Sequence, residues 1–470
     1  MELERKLTVN EKALLVNLDP NVYGSFSEIG AGQEVAANFF QAGGASGTIA
    51  LTQSAYDKKI SNAIYGEGKR FVSKERLIRM MDHDFANITE KLSDRQDDTC
   101  FFAFADTIET LNFHKTNQGH GWMGITFQKT PQSPSNQIVL HVVLHDNDPL
   151  LQQKAIGRLG VNLIHGVYNN VSTMKTFLSS LMDGLSIDRI EIDMFNVKGP
   201  DFSNIDNRLI SLKLVKLGLT PVAMFGPDGQ NVQASEILYK KNILVLRGRF
   251  RPPTLVNVDM LLCGYRQFVK DPGVTKKDLI VLSELSLNNL LMGEDHKKER
   301  DYMDRVDILC SLGQTVIITN FQHYYRLTNY LSDVNSGKKI GVLMGVNNLE
   351  AIFDPMYYSK LKGGILESFG RLFGRNITLL IYPATDGEHG ELHTCENVQI
   401  EKNLKYLFYY LTENDQIQDI NNCNRDLLSI FSDDVLEMIN ENKEGWEDFV
   451  PNKVAKTIKK NGMFGYMHNN

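Results

Sequence analysis

Cysteine is scarce in this chain: only five of the 470 residues are cysteine, and no two have Cys-x-x-Cys spacing. An odd number without paired spacing argues against a disulfide framework and against a cysteine-rich zinc site. We therefore expect a reducing compartment and predict a cytoplasmic protein. The cysteines are Cys100, Cys263, Cys310, Cys395 and Cys423.

Long apolar runs and excess positive charge are also absent. No run approaches the roughly 18 apolar residues of a transmembrane helix, and the charged segment 1–20 lacks the apolar core of a signal peptide. The net charge is −7, whereas non-specific nucleic-acid binding usually needs a basic stripe. We therefore expect neither a membrane nor a nucleic acid as partner.

What is present is a rhythm of short apolar runs separated by longer helical patterns, in a chain with a typical globular composition of 42% apolar and 23% charged residues. The runs are rich in β-branched residues and are spaced as strands of βα units are. They are Ile138–Leu144, Ile190–Met194, Val222–Phe225, Ile243–Leu246, Leu279–Leu282, Val316–Thr319, Ile340–Met344 and Thr378–Tyr382, preceded by Cys100–Phe104.

This alternation predicts an α/β fold of repeated strand–helix units. Most runs are apolar on both faces, which is typical of parallel strands covered by helices. Eight units suggest a (β/α)8 barrel, and an open doubly wound parallel sheet is the alternative; a ninth strand at Cys100–Phe104 weakens the barrel. We predict a mainly helical N-terminal region at 1–98, the α/β core at 99–395 and a helical C-terminal extension with a flexible end at 396–470.

Candidate site residues follow from this fold, because the chemistry of parallel α/β sheets lies at the carboxyl ends of the strands. Carboxylates and a histidine there could act as acid–base groups or bind Mg²⁺, although an acid after a strand is also a common helix N-cap. The predicted catalytic residues are His145, Asp193 and Glu284, and the predicted metal ligands are Asp146, Asp193 and Glu284. The predicted substrate-binding residues are Arg247, Asn320 and Asn347.

Two glycine-rich segments could bind phosphate through backbone N–H groups. Gly43, Gly44 and Gly47 are predicted to bind substrate, although close packing of helices explains them as well. Gly30-Ala31-Gly32 precedes a helical pattern as a dinucleotide loop does, but it lacks the third glycine and no clear strand precedes it.

Two histidine-bearing segments give weaker signals. Asn117-Gln118-Gly119-His120 is similar to the histidine element of nucleotidyltransferases, but it does not lie between a first strand and a helix near the chain start, and no matching downstream element follows. Glu388–His393 could bind a metal through His389 and His393, but the glycine between them argues against a helical HExxH site.

Three stretches resemble a widespread bacterial family of cytoplasmic proteins of about this length: Tyr23–Asp57, Asn207–Gly229 and Phe353–Phe373. The resemblance covers most of residues 10 to 390. Members of the family are named either nicotinate-nucleotide adenylyltransferase or TonB-dependent receptor. The first name implies Mg²⁺-dependent transfer of AMP from ATP to a pyridine mononucleotide. The second implies a membrane receptor with an N-terminal signal, which we reject. Leu51 stands where the family has a lysine.

Two functions remain open from the sequence. One is an enzyme acting on a nucleotide or another phosphorylated small molecule with Mg²⁺, in which the strand-end residues position the substrate and neutralise its charge. The other is a non-catalytic, self-assembling or scaffold protein, and a homo-oligomer fits it. An enzyme should gather His145, Asp193, Arg247 and Glu284 around one pocket, whereas a scaffold should scatter them.

Overall fold

A computed structural model describes residues 6–169, 173–287, 295–374, 376–385 and 390–467. The chain divides into two compact units, Met1–Thr220 (unit 1) and Pro221–Asn470 (unit 2). Across the described residues, no helix is both long enough and apolar enough to cross a bilayer. The predicted boundaries at 98/99 and 395/396 do not coincide with this division.

The described residues of unit 1 form six strands and seven α-helices. Its strands are β1 (Val22–Gly30), β2 (Ile49–Ser54), β3 (Cys100–Glu109), β4 (Gly119–Phe127), β5 (Asn136–Leu144) and β6 (Ile190–Lys198). Its helices are α1 (Val9–Asn17), α2 (Glu34–Ala42), α3 (Lys58–Tyr65), α4 (Lys74–Lys91), α5 (Pro149–Asn169), α6 (Met174–Leu181) and α7 (Asn207–Lys216).

The sheet of unit 1 is mixed, with strand order β2-β1-β3-β4-β5-β6. β1 runs parallel to β2 and β3, while β4, β5 and β6 each pair antiparallel with the preceding strand. β1 and β3 are in register from Val22 opposite Cys100 to Gly30 opposite Ile108. Residues before 98 therefore share one sheet with those after it, and the first 98 residues contain two strands that the helical prediction missed.

The two faces of this sheet are covered by different helices. Phe26, Phe102 and Phe104 belong to one apolar core together with residues of α2 and α5. Trp122 belongs to a second core with Met80 and other residues of α4. The first of these cores matters for the site, because α2 begins directly after β1.

In unit 2, the residues that the structure describes form ten strands and nine α-helices. Its strands are β7 (Val222–Phe225), β8 (Asn231–Val232), β9 (Asn242–Arg247), β10 (Leu279–Ser286), β11 (Thr315–Thr319), β12 (Ile340–Gly345), β13 (Ile377–Tyr382), β14 (Ala384–Thr385), β15 (Leu392–His393) and β16 (Ile417–Asp419). Its helices are α8 (Ala234–Leu238), α9 (Leu255–Phe268), α10 (Asp295–Ser311), α11 (Tyr324–Val334), α12 (Val346–Ile352), α13 (Gly364–Leu372), α14 (Lys405–Glu413), α15 (Ser432–Asn440) and α16 (Asn452–Asn461).

The main sheet of unit 2 has the order β16-β13-β12-β9-β10-β11-β7-β8. The six strands from β16 to β11 are parallel; numbered along the chain, they lie in the order 6-5-4-1-2-3, which is the doubly wound order. β7 pairs antiparallel with β11, and β8 pairs antiparallel with β7 at this edge of the sheet. The prediction of an α/β fold is confirmed, and its open-sheet form describes unit 2.

The C-terminal region, residues 396–467, is an integral part of unit 2. β16 extends the parallel sheet beside β13, although residues 396–470 were predicted to be a helical extension. α15 and α16 pack around the buried Trp446, against Ile308 of α10. The missed strand β16 is only three residues long, too short to leave a periodic signal.

Candidate functional site

The predicted site residues are divided between the two units. His145, Asp146 and Asp193 lie in unit 1, whereas Arg247, Glu284, Asn320 and Asn347 lie in unit 2. The prediction assumed that all strand ends meet at one edge, but the described part of the chain forms two main sheets, and β5 and β6 are antiparallel. Each group is therefore described within its own unit.

In unit 2, Glu284 is a buried carboxylate with strong partners. Its side chain has no solvent exposure; Arg247 donates from Nε to Oε2 at 2.6 Å and from Nη2 to Oε1 at 3.1 Å, and Thr319 donates to Oε1 at 2.6 Å. Burial opposes the charge on Arg247, but Glu284 outweighs it and raises the pKa of the guanidinium. Glu284, which was predicted to be a metal ligand, thus forms an ion pair with Arg247, and both of its carboxylate oxygens are hydrogen-bonded.

The other predicted residues of unit 2 are exposed. Asn320 follows β11 and Asn347 lies in the first turn of α12. Both follow strands of the parallel set, so they lie toward its carboxyl edge, and their predicted role in substrate binding stays a prediction. The proposed histidine segment includes residues 386–389, which lie outside the described residues.

In unit 1, His145 and Asp146 each have a charged neighbour. His145 Nε2 lies 3.3 Å from Glu191 Oε2, and Arg189 binds Asp146 at 2.9 Å. The glycines Gly43, Gly44 and Gly47 follow the end of α2, where Asn17 donates to the carbonyl of Gly43 at 2.7 Å. A helix carboxyl end carries partial negative charge, which disfavours an anion.

Asp193 belongs to a chain of polar groups that the sequence did not indicate. Its carboxylate lies 2.6 Å from Nδ1 of the buried His141, and His141 Nε2 lies 3.2 Å from Nδ1 of His120. Asp193 falls at a β-bulge in β6, because His141 pairs with Met194 and Val142 with Ile192. A bulge redirects a side chain, and here the redirected carboxylate orients the His141 ring.

The most unusual electrostatics in unit 1 belong to two carboxylates that the sequence analysis did not single out. Glu28 on β1 and Asp106 on β3 are direct partners in the parallel register. Asp106 is 0% exposed and Glu28 is 6% exposed. Within the described residues, neither oxygen of Asp106 has a hydrogen-bond partner. Paired strands are about 4.8 Å apart, so the two carboxyl groups are close neighbours.

This arrangement raises the pKa of both carboxyl groups. Burial raises the pKa of Glu28 to about 7. Burial, and then the charge of Glu28, raises the pKa of Asp106 well above its usual value. Two acids with strongly perturbed pKa values on neighbouring strands are typical of functional sites.

A glycine turn lies over these carboxylates. Gly30 ends β1 with φ of +90°, and a Cβ on it would lie 2.0 Å from the carbonyl oxygen of Ile108. A Cβ on Gly32 would lie 1.9 Å from Oδ1 of Asp106, so the turn packs directly on that carboxylate. Both positions therefore require glycine.

The turn leads into α2, whose first N–H groups lack partners within the helix. Gln33, at the N-cap, makes no side-chain capping hydrogen bond. β1, α2 and the parallel β2 form a βαβ unit with the glycine turn after its first strand. A strand, β1, therefore leads into Gly30-Ala31-Gly32, contrary to the expectation from the sequence. β1 was not predicted because Ser25, Ser27 and Glu28 interrupt its apolar pattern.

Comparisons with known proteins give limited information. No protein-family profile and no curated protein matches the chain. Among solved structures, the chain is similar to the nicotinic acid mononucleotide adenylyltransferase of Plasmodium falciparum complexed with APC, at 11% identity and a TM-score of 0.31, over 48% of this chain and 98% of that one. It is also similar to the competence/damage-inducible protein CihA of Agrobacterium tumefaciens, at 17% identity and a TM-score of 0.25, over 36% and 99%.

A third similar structure is a putative nicotinate-nucleotide adenylyltransferase of Vibrio parahaemolyticus, at 14% identity and a TM-score of 0.23, covering 48% of this chain and 97% of that one. All three likenesses are partial and of low identity. Their scores are too low to carry an argument about the reaction.

Proposed function

We propose that the chain is an enzyme that binds a nucleotide or another phosphorylated small molecule in unit 1, with Mg²⁺ held by Glu28 and Asp106. The observation that carries the proposal is the wholly buried carboxylate of Asp106, which has no hydrogen-bond partner in the described part of the chain and lies under a glycine turn. An uncompensated buried carboxylate is costly, and this cost favours a functional role for Asp106.

The geometry supports phosphate as the recognised group. A glycine turn after a strand of a βαβ unit directs backbone N–H groups and the positive end of the helix dipole at an anion. α2 supplies such an N-terminus at Gln33 and Glu34.

The carboxyl pair supports the cation. Two ionised carboxylates so close to one another repel both each other and a phosphate. Mg²⁺ prefers oxygen ligands and is commonly bound by one or two carboxylates together with substrate phosphates. It would allow both acids to ionise and would join them to the phosphate, neutralising charge as phosphoryl or nucleotidyl transfer requires.

The first test is a thermal-shift screen of the full chain. The ligands are ATP, nicotinic acid mononucleotide and a sugar phosphate, each with and without Mg²⁺. A ligand at about 100 times its Kd should add about 2.7 kcal/mol of stability. We expect a shift for at least one ligand that needs Mg²⁺, and an assay of pyrophosphate release would then test nucleotidyl transfer.

Two variants sharpen the screen. Asp106→Asn should abolish the Mg²⁺-dependent part of the shift, whereas Asp84→Asn should keep it. Asp84 is a matched control because it is also a buried carboxylate of unit 1, but it accepts a hydrogen bond from Tyr65 at 3.4 Å. No shift with any ligand, or an equal shift in Asp106→Asn, would refute the proposal.

A further inference from the structure

A second group of possible metal ligands lies in unit 2, far along the chain from the carboxyl pair. Asp259 and Cys263 are four residues apart on α9 and so share one face of the helix. Cys423 follows β16 and brings its sulfur to the same place. One ligand atom from each residue lies within 4.8 Å of the others.

We infer that Asp259, Cys263 and Cys423 form a binding site for a thiophilic divalent cation, with zinc as the best match. Cysteine thiolate and aspartate carboxylate are both ligands that zinc takes in proteins, and thiolates favour zinc over Mg²⁺ or Ca²⁺. Zn–S and Zn–O bonds of about 2.3 and 2.0 Å put neighbouring ligand atoms of a tetrahedron roughly 3.3–3.8 Å apart. Cys263 Sγ lies 3.6 Å from Asp259 Oδ1, so this edge already has the required length.

The surroundings of Asp259 prepare it to be a ligand. Its Oδ2 accepts hydrogen bonds from the Tyr382 hydroxyl at 2.7 Å and from the backbone N–H of Asn424 at 3.0 Å. Oδ1 is thereby turned toward Cys263. Hydrogen bonds to the outer oxygen of a ligating carboxylate are the usual second layer of a metal site, since they fix the orientation of the ligand.

The thiols are held by weak contacts that a metal can replace. Cys263 donates to the carbonyl of Asn422 at 3.4 Å, and Cys423 donates to the carbonyl of Ile420 at 3.2 Å. On binding, each sulfur would release its proton to solvent and form a bond to the cation. Three protein ligands leave a fourth position for water.

An access route and compensating charge are also present. A hollow of about 770 Å³ is bordered by Cys263 and Asn422 and also by Arg266, Lys270 and Lys276. One carboxylate and two thiolates carry one negative charge more than a divalent cation neutralises. Arg266, whose positive charge acts on the Cys263 thiol, would offset part of this excess.

The test uses the full chain, reduced and freed of metal, and Co²⁺ as a spectroscopic substitute for zinc. We expect one equivalent of Co²⁺ to produce the near-ultraviolet thiolate-to-cobalt band and the strong visible bands of tetrahedral coordination, and one equivalent of Zn²⁺ to remove them. Cys263→Ala and Cys423→Ala should each abolish the thiolate band. Cys310→Ala, a buried cysteine of the same unit outside the cluster, should retain it.

A milder variant keeps the test decisive if an alanine variant misfolds. Tyr382→Phe removes only the hydroxyl that orients Asp259, and loss of such a second-layer contact should weaken Co²⁺ binding about 10–100-fold. Absence of a thiolate band in the folded wild-type chain, or its survival in both cysteine variants, would overturn the inference. Neither outcome affects the carboxyl pair of unit 1, which lies in a separate sheet.

Discussion

The two units treat a buried carboxylate on a parallel strand in opposite ways. In unit 2, Glu284 is surrounded by the Arg247 guanidinium and the Thr319 hydroxyl, so each of its oxygens is hydrogen-bonded. In unit 1, Asp106 is equally buried, but neither of its oxygens has a hydrogen-bond partner in the described residues, and its register partner is another acid, Glu28.

The difference separates a structural acid from a functional one. A buried charge with a well-placed counter-charge is satisfied, and removing the partner is what becomes costly. A pair of buried acids without one is destabilising until a proton or a cation binds. Burial and position on a strand therefore do not by themselves distinguish a functional acid from a structural one. The distinction depends on whether the acid has a counter-charge or hydrogen-bond partner.

The largest effect should come from breaking the satisfied pair. Arg247→Met leaves the charge of Glu284 buried and uncompensated, and should lower the free energy of unfolding of unit 2 by about 3–5 kcal/mol. The measurement is urea unfolding followed by fluorescence of Trp446, which is in unit 2, in a Trp122→Phe background; the chain has only these two tryptophans. Adding Glu284→Leu should recover most of the loss. A loss below about 1 kcal/mol in the single variant would contradict the contrast between the units.

Removing a charge from the pair formed by Glu28 and Asp106 should instead stabilise unit 1. Because the pKa of Glu28 is raised to about 7 in the folded chain, the stability it contributes is complete below its unfolded pKa near 4.5 and is lost as pH rises through 7. One pKa unit corresponds to about 1.4 kcal/mol, so Glu28→Gln should stabilise unit 1 by up to about 3 kcal/mol at a pH near 8.

The same substitution should have little effect at a pH near 4, since Glu28 is then protonated in both the folded and the unfolded chain. Urea unfolding followed by Trp122 fluorescence, in a Trp446→Phe background, gives both values. Destabilisation at a pH near 8 would show that Glu28 already has a counter-charge and that the comparison of the units is mistaken.

The glycine turn gives a third test. Gly32→Ala drives a methyl group into the carboxylate of Asp106 and should cost about 1–3 kcal/mol of stability, the usual cost of overpacking. Gly345→Ala in unit 2 is the matched control, because nothing lies within 4 Å of its Cβ position. Thermal unfolding of both variants is sufficient, and an equal effect of the two would mean that the turn does not pack on Asp106.

The smallest effect concerns the polar chain of Asp193. Asp193→Asn weakens the contact to the buried Nδ1 of His141 and should cost about 1–2 kcal/mol, as expected for loss of a charge-assisted hydrogen bond. Glu191→Gln should cost less, because its partner His145 is 35% exposed and solvent screens the pair. Urea unfolding monitored by Trp122 compares the two, and a larger loss for Glu191→Gln would reverse their assigned importance.

The strands were the most predictable part of the molecule. All nine apolar runs identified from the sequence lie in strands, because a strand buried on both faces needs a continuous apolar run. β1 was missed because the buried polar residues Ser25, Ser27 and Glu28 interrupt its apolar pattern. Strand direction was also missed, because β5 and β6 have the composition of parallel strands but pair antiparallel.

The candidate sites were less predictable because they depend on partners distant in the chain. Glu284 and Asp193 were predicted as catalytic residues and metal ligands, but the sequence could not show that Arg247 pairs with Glu284 and that His141 contacts Asp193. The order of residues alone does not reveal that Glu28 and Asp106 meet, although 78 positions separate them. The cysteine count argued only against a cysteine-rich site, which leaves the pairing of Cys263 with Cys423 and Asp259 open.

The sequence by itself determined the α/β class and the positions of nine strands, because hydrophobic periodicity is a local property that burial imposes on each segment. Only the tertiary structure decided the division at Thr220 and Pro221, the strand directions and the sets of side chains that meet. Those depend on register and on contacts between distant segments, and a carboxylate acquires a shifted pKa, a counter-charge or a metal-binding geometry only from the neighbours that the folded chain brings to it.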